Sequence, residues 1–307
     1  MQIPEESLTA ICSHIDLDIS GAALMHCSNN ALFYLPAEGV VVRILRSRTM
    51  TDRPAKVARL GQWLNHLGET APAIRLWPEV PQPVVVGDHY ATIWFYESPS
   101  EPQPTASDLG RTLKRWHSLR PPSGLVPSWD PVTPARQRIA DATRLTSSVK
   151  RYLIDWCDRL QPHVEELNRG HICLIHGDAH VGNLIRTRDG NVVLCDFDST
   201  SMGPFQVDLA AAAAAATWFH DERTHRLLAT AYGYEVTADP LWDLFRSTRE
   251  LAFVVGGAPH LDNPAIAEEF ALRLESVQTG NNHTPWTPYA DLHSTLDLVT
   301  LVTESFC

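Results

Sequence analysis

The chain has 307 residues, of which 44% are hydrophobic and 20% are charged. That composition is ordinary for a globular protein long enough to form two moderate domains. The formal net charge of −11 disfavours a nucleic-acid partner, because binding phosphates requires a basic stripe. An acidic surface suits a cationic small substrate, although solubility alone also explains it.

Neither membrane insertion nor export is predicted. No run of about 18 or more apolar residues occurs, and the first residues lack the basic and apolar regions of a secretory signal. The six cysteines form no CxxC pair, which argues against a disulfide framework and against a structural zinc site. We therefore predict a cytoplasmic protein with reduced thiols.

The first part of the chain is predicted to be rich in β-structure. Three short apolar runs separated by turn-like segments predict a meander of three strands. A helix follows, because apolar residues recur at spacings of three and four, and two further strands come after it. The predicted strands are residues 22–25, 31–35, 40–45, 83–86 and 90–96, and the predicted helix is 54–67.

Residues 98–106, with prolines at 99, 102 and 104, are the best candidate for a linker. The chain beyond it is predicted to be mainly helical, with the first helix capped by Ser107 or Asp108. Asp189-Gly190 predicts the turn of a hairpin, and the tail after Thr279 is left unassigned. The predicted helices are 108–119, 134–166 with breaks, 207–219, 222–232, 240–254 and 264–277, and the predicted strands are 172–175, 184–186 and 192–195.

The most informative segment follows the strand at 172–175. It reads His176-Gly177-Asp178, then Asn183 five residues later, then a hairpin, and then Asp196 in the sequence D-F-D. Transfer of a phosphoryl group from ATP needs a carboxylate to orient the attacking hydroxyl and oxygen ligands for magnesium. A lone Asp or Asn in a loop is usually a turn former, but the combined order H-G-D-x₄-N, hairpin, D-F-D is typical of phosphoryl transfer.

This segment resembles the aminoglycoside phosphotransferase/choline kinase family of protein-kinase-like enzymes. The phrase G-P-x₃-D-L-A at 203–210 is similar to that family as well. The resemblance implies an α+β, two-lobed protein-kinase-like fold, with a small β-rich N-lobe at residues 1–97 and a larger, mainly helical C-lobe at 98–307. It implies an ATP-dependent kinase that phosphorylates a hydroxyl of a small molecule such as an aminoglycoside, amino-sugar or amino alcohol.

Carried over residue by residue, the resemblance implies that Asp178 is the catalytic base and that His176 braces its loop. Asn183 and Asp196 are implied to bind Mg²⁺, and Asp198 is expected either to assist a second metal or to bond the loop. Asp208 is expected to be structural, as a cap of the helix that follows it. The partner is a small molecule, and the oligomeric state is predicted to be monomer or homodimer.

The nucleotide side matches the family less closely. Arg43 stands where a strand lysine is expected, and arginine can also bind phosphates. The helix that should supply its glutamate carries Lys56 and Arg59 instead. The remaining cofactor-binding candidates come from the order of segments along the chain: Ser28 and Asn30 for the phosphates, Phe95 and Glu97 for the adenine. GTP in place of ATP stays open.

Three alternatives follow from the same residues. A protein kinase is disfavoured because only about ten residues separate Asp196 from Asp208, too few for an activation segment. A non-catalytic nucleotide-binding or ligand-binding relative is suggested by Arg43 and its missing glutamate. A metal-dependent hydrolase using His171, His176 and His180 is disfavoured, because glycines make that segment a loop and no H-E-x-x-H occurs.

Overall fold

The computed structural model describes residues 4–27, 30–45 and 52–292. It divides into two compact units. Unit one comprises the chain up to Pro127 together with His180–Ser201, and unit two comprises Ser128–Ala179 together with the residues from Met202 onward. Each unit contains a hydrophobic core of its own, and among the described residues no helix is long and apolar enough to span a membrane.

The regular elements alternate along the chain as follows. They are α1 (Pro4–His14), β1 (Ala23–Cys27), β2 (Asn30–Leu35), β3 (Val40–Leu45), α2 (Asp52–Leu67), β4 (Val84–Val86), β5 (His89–Phe95), α3 (Ala106–Ser118), α4 (Val132–Asp141), α5 (Ser147–Leu167), β6 (Cys173–Ile175), β7 (Leu184–Arg186), β8 (Val192–Leu194), β9 (Ser201–Gly203), α6 (Gln206–Trp218), α7 (Glu222–Tyr232), α8 (Trp242–Val255) and α9 (Pro264–Thr279).

Unit one is built on an antiparallel sheet with the strand order β1-β2-β3-β5-β4. Helix α1 covers one face, where Leu8 and Ile11 pack with Val42 and Ile44 of β3. Because successive side chains of a strand point to opposite faces, Arg43 projects from the other face. The sheet thus presents a buried cation away from its apolar core.

The proline-rich segment before α3 is tied to the β7–β8 hairpin in unit one. Ser100 donates its backbone N–H to the carbonyl of Arg186, and the Arg186 Nε donates to Pro102 O at 2.7 Å. The same guanidinium pairs with Asp108 at 2.9 Å. Asp108 and Thr105 form a capping box, so the prediction that Ser107 or Asp108 caps this helix is wrong: Thr105 does.

Unit two packs its helices around α6. The alanines at 210–214 are all buried, and their small side chains let neighbouring helices approach closely. A second anchor is the buried ion pair between Arg273 and Glu269 of α9, with Nε and Oε1 2.7 Å apart. Arg273 also donates to Phe253 O, and Glu269 accepts from the N–H of Thr287. These bonds attach the segment after α9 to the helical core.

Most predicted elements are present, with ends that differ by a few residues. The predicted meander, the hairpin around Asp189-Gly190 and the Asn263-Pro264 helix start are confirmed. Helix α1 and strand β9 were not predicted, and the single helix expected over 134–166 is in fact two, α4 and α5. After Thr279, a short 3-10 turn forms at Tyr289–Leu292.

Candidate functional site

The loop that carries the predicted catalytic base lies in unit two and is fixed by one buried carboxylate. Strand β6 ends at Ile175, and the backbone N–H groups of His176 and Gly177 both donate to Asp208, at 2.7 Å each. Asp208 is the third residue of α6 and only 1% exposed. Its carboxylate holds the loop and does not cap its own helix, so the expected capping role is wrong.

The local conformation explains the glycine of the H-G-D motif. Gly177 has φ = 81°, a left-handed conformation that glycine adopts without steric cost. His176 beside it is completely buried. This sharp turn ends the strand and leaves the side chain of Asp178 half exposed, at 50%, where a carboxylate can reach a hydroxyl group of a bound molecule.

Arg249 of α8 approaches this loop and was not singled out from the sequence. Its Nη2 lies 3.9 Å from Asp178 Oδ1, and its Nη1 donates to Gly177 O at 3.4 Å. The guanidinium also lies 5.4 Å from the ring centroid of Phe253, a distance at which cation–π attraction holds it in place. A positive charge thus stands beside the predicted base, and no sequence motif indicates it.

In unit one, backbone pairing brings Asn183 next to Asp196. The N–H of Cys195 donates to the carbonyl of Asn183 at 3.0 Å. Asn183 is buried, whereas the Asp196 side chain is 46% exposed. Asp196 has φ = 59°, a left-handed conformation that costs a non-glycine residue about 1–2 kcal/mol and persists only where its surroundings hold it.

Arg43 finds its acidic partners in the segment around Asp196. Its Nη2 lies 2.6 Å from Asp198 Oδ2 and 3.3 Å from Asp196 Oδ1. Asn30 donates to the same Asp198 oxygen at 3.3 Å, and Arg53 lies 3.8 Å from it. Burial opposes ionisation of Asp198, yet the charge and hydrogen bond of Arg43, with Arg53 and Asn30, hold the pKa of this carboxyl below its usual value.

Lys56 of α2 reaches the same segment from the helix. Its Nζ donates to the backbone carbonyls of Asp198 at 2.5 Å and Thr200 at 3.1 Å. Burial, opposed by the charge of Asp198, lowers the pKa of Lys56 to about 8. The sequence placed Lys56 near this position but gave it no role, because backbone carbonyl acceptors have no sequence signature.

The other nucleotide-side candidates are resolved unequally. Ser28 lies outside the described residues. Phe95 is 42% exposed at the end of β5, but its N–H donates to Arg75 O, and the N–H of Tyr96 donates to Gly39 O. These two donors are therefore engaged within the unit. The adenine contacts predicted for Phe95 and Glu97 stay predictions.

The donor set of the segment around Asp196 suits magnesium, which prefers hard oxygen ligands. Asp196 offers an exposed carboxylate beside the amide of Asn183. Within the described ranges, the buried Oδ1 of Asp198 accepts no hydrogen bond, while its Oδ2 is bound to Arg43 and Asn30. No group of three or more His, Cys, Asp and Glu side chains in the described part of the chain suits a metal, which leaves the hydrolase alternative without support.

Comparison with known proteins identifies the family. A family model described as the phosphotransferase enzyme family matches residues 28–249, which include every site residue discussed above. The chain belongs to the phosphotransferase enzyme family. No curated protein is detectably similar to it in sequence.

Solved structures of this family share the fold. A choline/ethanolamine kinase family protein from Mesorhizobium loti has a TM-score of 0.59 at 14% identity, over 92% of this chain and 95% of that one. The microcompartment-associated aminopropanol kinase has a TM-score of 0.58 at 20% identity, over 91% and 98%. The ADP-bound aminoglycoside phosphotransferase APH(2'')-Ib has a TM-score of 0.56 at 14% identity, over 89% and 98%.

At these identities the structural likeness establishes the fold, while the family model establishes the class of enzyme. The predicted family, the α+β kinase-like fold with a small antiparallel sheet and a mainly helical remainder, and the prediction of a small-molecule kinase are confirmed.

Proposed function

We propose that this phosphotransferase moves the γ-phosphoryl group of ATP to a hydroxyl group of a small molecule that carries an amine. The observation that carries this proposal is the H-G-D loop, where Asp208 fixes two consecutive backbone N–H groups and Asp178 is left half exposed. A rigid loop with an accessible carboxylate suits a base that must orient a hydroxyl and accept its proton.

Asn183 and Asp196 are proposed to hold magnesium. When bound, the ion would neutralise charge on the phosphate oxygens. Asp196 is supported in this role by its exposed carboxylate and by the strand pairing that places Asn183 beside it. The left-handed backbone of Asp196 turns its side chain out of the strand direction, which suits a ligand.

Arg43 is proposed to bind the nucleotide phosphates in place of the family's lysine. Both of its contacts to aspartate use Nη2, and a guanidinium carries further N–H donors. Its pairing weakens the case for a non-catalytic relative, because Arg43 is a partnered cation in a charged cluster and not an isolated departure from the family.

An amine on the acceptor is proposed from two features. The chain carries a net charge of −11, which attracts cations. The structural neighbours are named as kinases of choline or ethanolamine, of aminopropanol and of aminoglycosides, and these compounds share a hydroxyl group near an amine. Amino alcohols and aminoglycosides are therefore the first acceptors to test.

The deciding experiment is a screen of ATP consumption across amino alcohols, amino-sugars and aminoglycosides, with GTP as a second donor. Asp178→Asn serves as the blank and should lower turnover by about 10²–10⁴-fold. Robust phosphorylation of peptides, or unchanged turnover in the Asp178→Asn variant, would refute the proposal. Loss of turnover with ATP binding retained separates a kinase from a protein that only binds nucleotides.

The compartment and the oligomeric state follow from no contact in the structure. A cytoplasmic location and a monomer or homodimer remain predictions, which cell fractionation and sedimentation would test.

A further inference from the structure

The charges of the strand–helix pair are arranged in an unexpected way in unit one. In protein kinases a strand lysine pairs with a helix glutamate. Here the strand supplies Arg43, and α2 supplies Lys56 and Arg53, while its single acidic residue is the exposed Asp52 at its start. Three cations therefore face one segment, and the acid must come from elsewhere.

That acid is Asp198. Its side chain is 13% exposed, that of Arg43 is 9% exposed, and the two groups are 2.6 Å apart. Charge-assisted hydrogen bonds of this length between buried groups are strong and geometrically specific. Asn30 and Arg53 complete the surroundings of the same carboxylate oxygen. Asp198 therefore occupies the electrostatic position of the absent helix glutamate.

Lys56 acts on the backbone next to the proposed metal ligand. Its ammonium group binds the carbonyls of Asp198 and Thr200, which follow Asp196 by two and four residues. On the other side of Asp196, the N–H of Cys195 is bound to Asn183 O. The left-handed residue is thus held from both directions, and its conformation decides where its carboxylate points.

We propose that Asp198 is the acidic partner of Arg43, and that Lys56 is a positioning residue which holds Asp196 in the conformation that binds Mg²⁺–nucleotide. This rests on the proposed function. It removes Asp198 from the metal ligands and assigns α2 a role through a cation instead of a glutamate. Arg43 is thereby fixed at a distance from its own strand that suits phosphate binding.

The chain offers a matched control for the lysine. It contains three lysines, of which Lys114 and Lys150 are exposed and only Lys56 is partly buried. The variants are Lys56→Met, Lys56→Arg and Lys114→Met. Each is titrated calorimetrically with a non-hydrolysable ATP analogue, once with EDTA and once over a range of Mg²⁺ concentrations, and its melting temperature is measured.

Wild type should bind the analogue more tightly with Mg²⁺. Lys56→Met should raise the half-saturating Mg²⁺ concentration about tenfold, while affinity in EDTA changes by less than about twofold. Lys56→Arg should restore most of the Mg²⁺ dependence, because it keeps the cation and its donors, and Lys114→Met should match wild type. A purely structural role would lower the melting temperature without changing the Mg²⁺ dependence.

The outcomes separate this inference from the proposed function. A folded Lys56→Met variant with the wild-type Mg²⁺ dependence overturns the inference and leaves the function standing. Wild-type protein that binds no Mg²⁺–nucleotide overturns the proposed function and the inference with it.

A double-mutant cycle tests the Asp198 assignment even where Lys56→Met fails to fold. Arg43→Met and Asp198→Asn should be coupled by about tenfold or more in the folding equilibrium constant, because removing one partner leaves the other buried and unpaired. Additive effects on folding, together with a loss of Mg²⁺ dependence for Asp198→Asn that persists in the Arg43→Met background, would show that Asp198 binds the metal instead.

Discussion

The buried carboxylate of Asp208 allows a quantitative prediction about the H-G-D loop. It accepts one backbone N–H through each oxygen, from His176 and from Gly177, both at 2.7 Å. A net contribution of about 1.5–3 kcal/mol applies to each hydrogen bond with a charged partner, and a buried donor left unpaired costs about 1–3 kcal/mol. The contribution of the pair of bonds is therefore about 3–6 kcal/mol.

Asp208→Asn keeps one acceptor oxygen but turns an amide NH₂ toward the second N–H. One bond is lost and the other loses its charge, so the free energy of unfolding should fall by about 2–5 kcal/mol. Asp208→Ala removes both acceptors and should cost more. Because the same two bonds hold the loop under Asp178, turnover should fall with stability.

Urea unfolding of Asp208→Asn and of Asp262→Asn measures this directly. Asp262 is exposed in the same unit, so its substitution should stay within about 0.5 kcal/mol of wild type. ATP consumption is then measured at a urea-free temperature at which both variants are folded. If Asp208→Asn unfolds at the same urea concentration as the control and keeps its turnover, the carboxylate does not hold the loop and the reasoning is wrong.

Three further predictions concern the charged groups of the two units. Asp196→Ala should abolish Mg²⁺-dependent turnover, and full activity in that variant would contradict its role as a metal ligand. Arg249→Met should lower kcat about five- to tenfold with little change in the KM for ATP, because the cation acts beside Asp178 and not on the nucleotide; a change in KM alone would contradict this. Burial raises the pKa of Glu250 above its usual value, so the folded protein holds that proton more tightly than the unfolded chain, and the stabilisation present at low pH is lost as the pH rises through the raised pKa. Glu250→Gln keeps an acceptor for the indole N–H of Trp218, 2.8 Å from Oε1 in the wild type, and should therefore raise the urea midpoint at neutral pH but not near pH 4; equal gains at both pH values would contradict the assignment.

The family could be predicted from the sequence because its signals are local. Gly177 marks a left-handed turn directly after a strand, Asp189-Gly190 marks a hairpin, and the intervals to Asn183 and Asp196 are fixed by these short elements. Turn preference and strand periodicity act over a few residues. The order of catalytic-loop and metal-loop residues was therefore readable without the structure.

Helix boundaries were less accurate where local signals compete. Thr105, Ser107 and Asp108 are all acceptable caps by composition, and only the structure shows the reciprocal bonds between Thr105 and Asp108. The α4–α5 break has no proline or glycine to announce it. Such boundaries depend on packing against other elements, which outweighs local propensity.

The departure from the family at Arg43 marks the limit of the sequence. The sequence showed an arginine in place of lysine and a helix without glutamate, but its acidic partners lie far along the chain, with Asp196 153 positions away. Lys56 and Asp208 act on backbone carbonyl and N–H groups, which every residue carries, so no pattern of side chains predicts them. The sequence by itself determined which residues carry the chemistry. Only the tertiary structure decided what holds them in place, because those contacts join distant segments through groups that leave no local signal.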